Sequence, residues 1–535
     1  MKVFLHFKQG SQQNNCKIFF NLLSIIKQFR NFEEQKIQTM NNDILNLEPK
    51  AIWKNFSALN SVPRPSKKEE KVRQFIIKFG EDLGLPVETD EVGNVLIKKA
   101  AYPGMEDRKK VVMQSHLDMV CQKNNDVEFD FDTQGIEMYI EDDKFVTANG
   151  TTLGADNGIG VATIMSILES KDIPHPAIEA FFTIDEETGM TGALGLKAGF
   201  LSGKILLNLD TEEDDELDIG CAGGVDVTAT KAYTAEATNG TAFTLTLKGL
   251  NGGHSGVQIH EGLGNSNKLI ARLLNSGTEF GLKIAHMEGG SLRNAIPRES
   301  WAKIIIPTDK VDAFKAAYET LRSEIIEEYE TKEPKMVITL EAAEATSAIS
   351  AQDSKVFVQT IMAAFNGVYR MSPDVEGLVE TSNNVARVEV INGNARVLCL
   401  TRSSIESGKE ALAQTLKSGF ELGGFEVKFS GSYPGWKANT HSEILELMKG
   451  IYVSKFGEEP KVVACHAGLE CGIIGTNYPG LDMISFGPNI SGAHSPDERV
   501  EIASVQKFWD YLLDILKDIP NDGPVDYSCA NSKNI

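Results

Sequence analysis

The run Lys109-Lys110-Val111-Val112-Met113-Gln114-Ser115-His116-Leu117-Asp118 passes through three consecutive apolar residues and closes on an imidazole and a carboxylate. A short apolar run with polar ends reads as a buried strand. The same pattern recurs twice. Ala177-Ile178-Glu179-Ala180-Phe181-Phe182-Thr183-Ile184 leads into Asp185-Glu186-Glu187, and Lys204-Ile205-Leu206-Leu207-Asn208-Leu209 ends in Asp210. Between the first two lies Gly154-Ala155-Asp156-Asn157-Gly158, a carboxylate in a turn whose glycines permit close backbone approach. The apolar stretch after it, Ile159 to Leu168, reads as a buried helix. Near-continuous apolar strands separated by helical segments predict an α/β domain with a mostly parallel sheet covered on both faces. Open sheets of this kind carry their sites at the carboxyl ends of the strands, where these polar residues fall.

Outward from this core the chain changes character several times. Residues 1–43 form an extension: Lys2, Lys8, Lys17, Lys27 and Arg30 occur before residue 31 without a single acid. It reads as a disordered segment or as sequence ahead of a true start at Met40, with a mitochondrial presequence as the alternative. Residues 44–222 make the first part of the α/β domain. Residues 223–431 hold alternating strands and helices in two similar halves, which predicts an inserted α+β domain. The α/β pattern returns over 432–519, and 520–535 is a polar tail expected to be disordered.

Composition narrows the function. The 53 Lys and Arg stand against 75 Asp and Glu, a formal charge of −22, which argues against nucleic acid or an anionic membrane as partner. The longest apolar candidate, Ile18 to Ile26, is interrupted by Asn21 and Ser24 and falls short of a membrane span. Seven scattered cysteines with no C-x-x-C pair indicate a reducing compartment, the cytoplasm.

Five loop or strand-end residues, His116, Asp156, Glu187, Asp210 and His494, offer imidazole and carboxylate donors. Zinc accepts this mixture, and cobalt or manganese can substitute. Two ions sharing one carboxylate would clamp a hydrolytic water. The expected arrangement has Asp156 as the bridge, His116 and Asp210 on one ion, and Glu187 and His494 on the other. Asp118, two residues beyond His116, faces the same side of an extended chain and is expected to fix the imidazole tautomer. Of Glu186 and Glu187, one binds metal and the other serves as general base, with Glu186 taken as the base; spacing alone does not say which does which. His175 and His286 read as structural, and His6 as part of the extension.

These stretches, together with Gly220-Cys221-Ala222-Gly223-Gly224, Gly252-Gly253-His254-Ser255-Gly256, His466-Ala467-Gly468-Leu469-Glu470-Cys471-Gly472 and Gly492-Ala493-His494-Ser495-Pro496-Asp497-Glu498, resemble the aminoacyl-histidine dipeptidases over about residues 45–518. These are di-zinc metallopeptidases related to carnosinases. The resemblance implies hydrolysis of dipeptides with a free amino terminus, Xaa-His preferred, and two bound Zn2+. It also implies that the inserted region is a lid that pairs two copies as a homodimer. It nominates His254 for the oxyanion, Asn294 and Arg402 for the substrate's carbonyl or carboxylate, and Glu470 for its amine. A related di-metal amidohydrolase acting on N-acyl amino acids or tripeptides is the rival reading, followed by an inactive binding module.

Overall fold

The structure, a computed structural model, describes residues 43–523, so the readings made on the extension and on most of the tail lie outside the described residues. By density of contacts the chain divides into two compact units. The first comprises Met1–Glu216, Leu447–Pro460 and Ser485–Ile535; the second comprises Leu217–Glu446 and Lys461–Ile484. This division places 217–222, 432–446 and 461–484 in the second unit, whereas the sequence reading groups 44–222 with 432–519. The Ala222 N–H is shared between the carbonyls of Cys465 and Ala467 (3.0 Å each), and Cys221 and Trp436 exchange two N–H···O bonds of 2.9 Å. The first residues of the expected tail are also held: the Lys109 N–H donates to the Pro520 carbonyl at 2.9 Å and the Asp522 N–H to the Asp107 carbonyl at 2.7 Å.

In the first unit, strands β1 (Val87–Thr89), β2 (Val95–Lys99), β3 (Val111–His116), β4 (Ile178–Thr183) and β5 (Ile205–Asn208) lie in the order β1-β2-β4-β3-β5. β3 pairs in parallel with β4 and β5, whereas β1 and β2 add an antiparallel edge. The sheet is therefore mixed, with parallel pairing where the site lies. Every residue of β3, β4 and β5 is buried, which is why these strands read as continuous apolar runs and not as alternating ones. Register sets His116 opposite Thr183 and Gln114 opposite Asn208. The three strands thus finish nearly level, and residues 116–118, 185–187 and 210 emerge at one edge.

Helix α1 (Lys50–Asn60) and helix α2 (Ala155–Glu169) pack together, and α2 also lies against β3. Apart from Asp156 and Glu169, α2 is buried all round, as expected of a helix without a polar face. Gly160 makes the approach to β3 possible: a Cβ there would fall 2.4 Å from Ser115 Oγ and 2.3 Å from Asn157 Oδ1.

The second unit holds a nine-stranded sheet. Its strands are β6 (Gly223–Ala232), β7 (Thr241–Lys248), β8 (Lys283–Gly289), β9 (Ser300–Ile306), β10 (Val337–Ala342), β11 (Gly367–Met371), β12 (Val379–Ile391), β13 (Asn394–Ser403) and β14 (Glu426–Tyr433). The order is β10-β7-β9-β8-β12-β13-β6-β14, with β11 paired to β12. Each half repeats one scheme. β9, helix Val311–Tyr329 and β10 flank β7 as β13, helix Glu406–Leu422 and β14 flank β6. The buried faces meet in one apolar core that includes Leu245, Leu273, Ile304, Phe314, Phe357 and Val397. Among the described residues, no helix is long and apolar enough to cross a membrane.

Candidate metal centre

All five donors expected from sequence belong to the first unit, and the fold brings them within hydrogen-bonding distance of one another. His116 Nε2 lies 3.1 Å from Asp156 Oδ1 and 3.3 Å from Asp210 Oδ1. His494 Nε2 lies 3.1 Å from Asp156 Oδ2 and 2.9 Å from Glu187 Oε2. The result is two triads that share Asp156, one oxygen to each. Donors held at about 2.0–2.2 Å from one ion stand roughly 3 Å from one another, the spacing each imidazole nitrogen keeps from its two carboxylates; donor atoms of His116, Asp156 and Glu187 all lie within 4.8 Å of one another. Glu187 Oε1 is buried with no hydrogen-bond partner, an orphaned acceptor of the kind a cation satisfies. The donor set and its spacing fit a pair of divalent metal ions.

Local structure explains how Asp156 reaches both sides. Gly154 adopts φ 69°, and Asp156 (φ −79°, ψ 110°) and Asn157 (φ −106°, ψ 34°) leave the helical region at the start of α2. Asn157 then donates to the Leu209 carbonyl and to Asp210, holding the end of β5 against the loop. His494 sits at φ 63°, a left-handed position in a loop.

The electrostatics set Asp156 apart from its neighbours. Burial raises the carboxyls of Glu187 and Asp210. Burial acts on Asp156 as well, yet the two histidines outweigh it and hold its pKa well below the carboxylate range. Burial disfavours an imidazolium at His116, but Asp210, Asp118 and Asp156 prevail and raise it well above the ordinary histidine value. Hydrogen bonds to Asp156 and Glu187 push His494 up to about 11. The carboxylates thus favour positive charge at both imidazoles, and a cation on the same nitrogens would supply it.

Asp118 meets His116 Nδ1 through both its backbone carbonyl and its carboxylate. Its backbone carbonyl, at 3.1 Å, is the nearest partner of His116 Nδ1, and its carboxylate stands at 3.5 Å. The carboxylate also accepts the N–H groups of Glu186 (3.0 Å) and Glu187 (3.2 Å) and the Ser66 hydroxyl (2.8 Å). Asp118 therefore positions both His116 and the two glutamates. Glu186 and Glu187 open a helical turn, Glu186–Gly189, so their side chains diverge by about 100° and do not oppose each other as in a strand.

Groups to which sequence reasoning assigned no role also border the centre. Glu212, half-buried beside Asp156 and Asp210, is pushed up to about 8 by burial and then by the Asp156 charge. Arg64 and Glu498 are buried against the same loops. The spacing of Glu498 four residues beyond His494 is the one sequence signal for it.

His254, Asn294, Arg402 and Glu470 lie in the second unit. His254 and Asn294 come together, because residues 253–254 pair with 295–296 and the Ser255 N–H donates to the Asn294 carbonyl at 2.7 Å. Both line a cleft of about 750 Å³ that also includes Glu288, Trp301 and Arg298. Arg402 lies opposite Ser382 on the neighbouring strand and donates to Tyr433 Oη at 3.0 Å. Ser382 Oγ is 2.8 Å from Nε2 of His466, a buried imidazole lowered to about 3 by burial and then by Arg402 and His254. Glu470 is fully buried at the start of helix Glu470–Asn477. His175 and His286 occupy structural positions: one is buried and bonded to the Pro176 carbonyl (2.7 Å), the other stacks on Trp301 and pairs with Glu288.

Residues 112–518 match Peptidase family M20/M25/M40. The chain belongs to this family. Among relatives of the M20-family chain, the cytosol non-specific dipeptidase of Escherichia coli (strain K12) is 43% identical over 483 residues, which cover 90% of this chain and 99% of the relative. The crystal structure of aminoacylhistidine dipeptidase from Vibrio alginolyticus superposes with a TM-score of 0.82 at 45% identity, covering 90% of this chain and 99% of that one. A tripeptidase from Staphylococcus aureus, at 16% identity and a TM-score of 0.52, shares the fold.

Proposed function

We propose that this M20-family chain is a cytoplasmic, metal-dependent dipeptidase that hydrolyses dipeptides with a free amino terminus, Xaa-His among them. The observation that carries the reading is the pair of triads sharing Asp156, each with an imidazole nitrogen 2.9–3.3 Å from two carboxylates. Two relatives above 40% identity, named as a cytosol non-specific dipeptidase and an aminoacylhistidine dipeptidase, support the substrate class. Two divalent ions, zinc by donor chemistry, would polarise the scissile carbonyl and acidify a water molecule.

The protein's own groups then divide the work. Glu186 takes the proton of the attacking water and returns it to the leaving amine, as a carboxylate general base does when the neighbouring carboxylate is committed to a cation. Its place is set by Asp118, which receives the Glu186 N–H. In the second unit, His254 Nδ1 accepts the N–H groups of Gly256 (3.3 Å) and Val257 (3.1 Å), which leaves the proton of a neutral ring on Nε2. That N–H is the donor we assign to the developing oxyanion. Asn294 and Arg402 would hold the substrate's carbonyl and carboxylate, Arg402 through a bidentate fork. Association of two copies through the second unit is part of the same reading.

Metal-stripped protein should be inactive on Ala-His and β-Ala-His and regain turnover with Zn2+, while N-acetyl amino acids and tripeptides turn over weakly. Activity confined to the acylated substrates overturns the proposal. Glu186→Gln should lower kcat by about 10²–10⁴-fold with both ions retained. Unchanged turnover removes Glu186 as the base.

A further inference from the structure

Two buried charged side chains tie together the segments that carry the candidate ligands, and the chemistry above uses neither. Glu498, 2% exposed, accepts four consecutive backbone N–H groups: Oε2 from Leu153 and Gly154 (2.8 Å each), Oε1 from Ala155 (2.7 Å) and Asp156 (3.2 Å). These amides lead into α2, whose first turn has no intrahelical acceptors for them. Successive N–H groups converging on one anion form a nest, and bonds to an ionised acceptor are roughly twice as strong as neutral ones. Since Glu498 follows His494 by four residues, the nest joins the loop of one triad's imidazole to the loop of the shared carboxylate.

Arg64, 1% exposed, gathers carbonyls where Glu498 gathers amides. Its Nη1 donates to Leu117 (3.3 Å) and Asp118 (3.2 Å), and its Nη2 to Gly154 (2.5 Å) and to Asn60 Oδ1 (3.0 Å). The two side chains meet at Gly154, whose N–H belongs to Glu498 and whose carbonyl belongs to Arg64. That position has no room for a side chain: a Cβ would lie 2.4 Å from Arg64 Nη2.

We infer that Arg64 and Glu498 form a buried brace that positions Asp156 between His116 and His494. Both are positioning residues, and the inference rests on the di-metal reading for its link to the ions. A carboxylate is required because four donors converge on it. A glutamine offers one oxygen and turns an NH2 group toward two of those donors, which leaves them unpaired. Since the brace acts on the shared ligand, its loss affects both triads, whereas loss of a private ligand affects one.

Hydrogen exchange on the metal-stripped wild-type protein gives the first test: the amides of residues 153–156 should be protected as strongly as those of β3, and free exchange there overturns the brace. In Glu498→Gln these amides should exchange at least about tenfold faster with β3 unchanged, and both ions should bind about 10–100-fold more weakly, the range for groups that orient ligands. Arg64→Lys, which keeps the charge but cannot span the Leu117, Asp118 and Gly154 carbonyls, should show the same paired loss if Glu498→Gln does not fold. Wild-type exchange with wild-type affinities, or weakening of one ion alone, overturns the inference. If wild-type protein binds no metal, the di-metal reading fails while the exchange data still judge the brace.

Discussion

Replacing Asp156 by Asn separates a shared ligand from a private one. The two Asp156 oxygens each lie 3.1 Å from a different imidazole, so one substitution removes a charged donor from both triads. Asp210, by contrast, lies against one imidazole, His116, at 3.3 Å. Removing a direct ligand should cost at least as much as removing a group that merely orients one, for which losses reach about 100-fold. At about 100-fold per ion, or about 2.7 kcal/mol, Asp156→Asn lowers the product of the two binding constants by about 10⁴, close to 5.5 kcal/mol. Asp210→Asn should lower one constant by about 100-fold and leave the other near its wild-type value. Titration of metal-stripped protein with Zn2+ against a chromophoric chelator, with the bound ions counted by mass spectrometry, resolves both steps. An Asp156→Asn protein that retains one ion at wild-type affinity refutes the shared position, as does an Asp210→Asn protein that loses both equally.

Two further outcomes follow from the packing beneath the site. Glu179 is buried on β4 and accepts the Ser202 and Gly203 N–H groups (2.8 and 3.0 Å) with Lys110 beside it; burial raises its pKa, but these partners prevail and lower it. A depressed folded-state pKa contributes stability that is present above the unfolded value near 4.5 and is lost as pH falls through the folded value. Glu179→Gln should therefore cost about 1–3 kcal/mol in urea unfolding at pH 7, with the difference shrinking toward pH 3; a difference that grows on acidification contradicts the argument. Gly160→Ala should destabilise by about 1–3 kcal/mol, because the new methyl meets Ser115 Oγ and Asn157 Oδ1 at less than 2.5 Å; an unchanged denaturation midpoint would show that α2 can move off β3 freely.

The chain's pattern made some of this legible and left the rest hidden for identifiable reasons. Strands buried on both faces read as unbroken apolar runs, so β3, β4 and β5 and the polar residues at their ends were visible as local features. The antiparallel edge was not, since the short β1, two of its three residues exposed, carries no such run. Asp118 illustrates a subtler limit. Spacing of two residues places it beside His116, but says nothing of the N–H groups of Glu186 and Glu187, 68 and 69 residues away, that its carboxylate also accepts.

What the sequence by itself determined was the inventory: an α/β core with parallel strands at the site, a following stretch of alternating strands and helices, and a set of imidazoles and carboxylates at strand ends and in one glycine-rich turn. Local pattern suffices there because burial on both faces and freedom at glycine are properties of short stretches. Only the tertiary structure decided which donors face each other. The pairing of His116 with Asp210 and of His494 with Glu187 across Asp156 depends on strand order, register and a carboxylate that reaches 343 residues back to the Ala155 amide. Such bonds join positions that no periodicity relates, and they exist only once the chain has closed on itself.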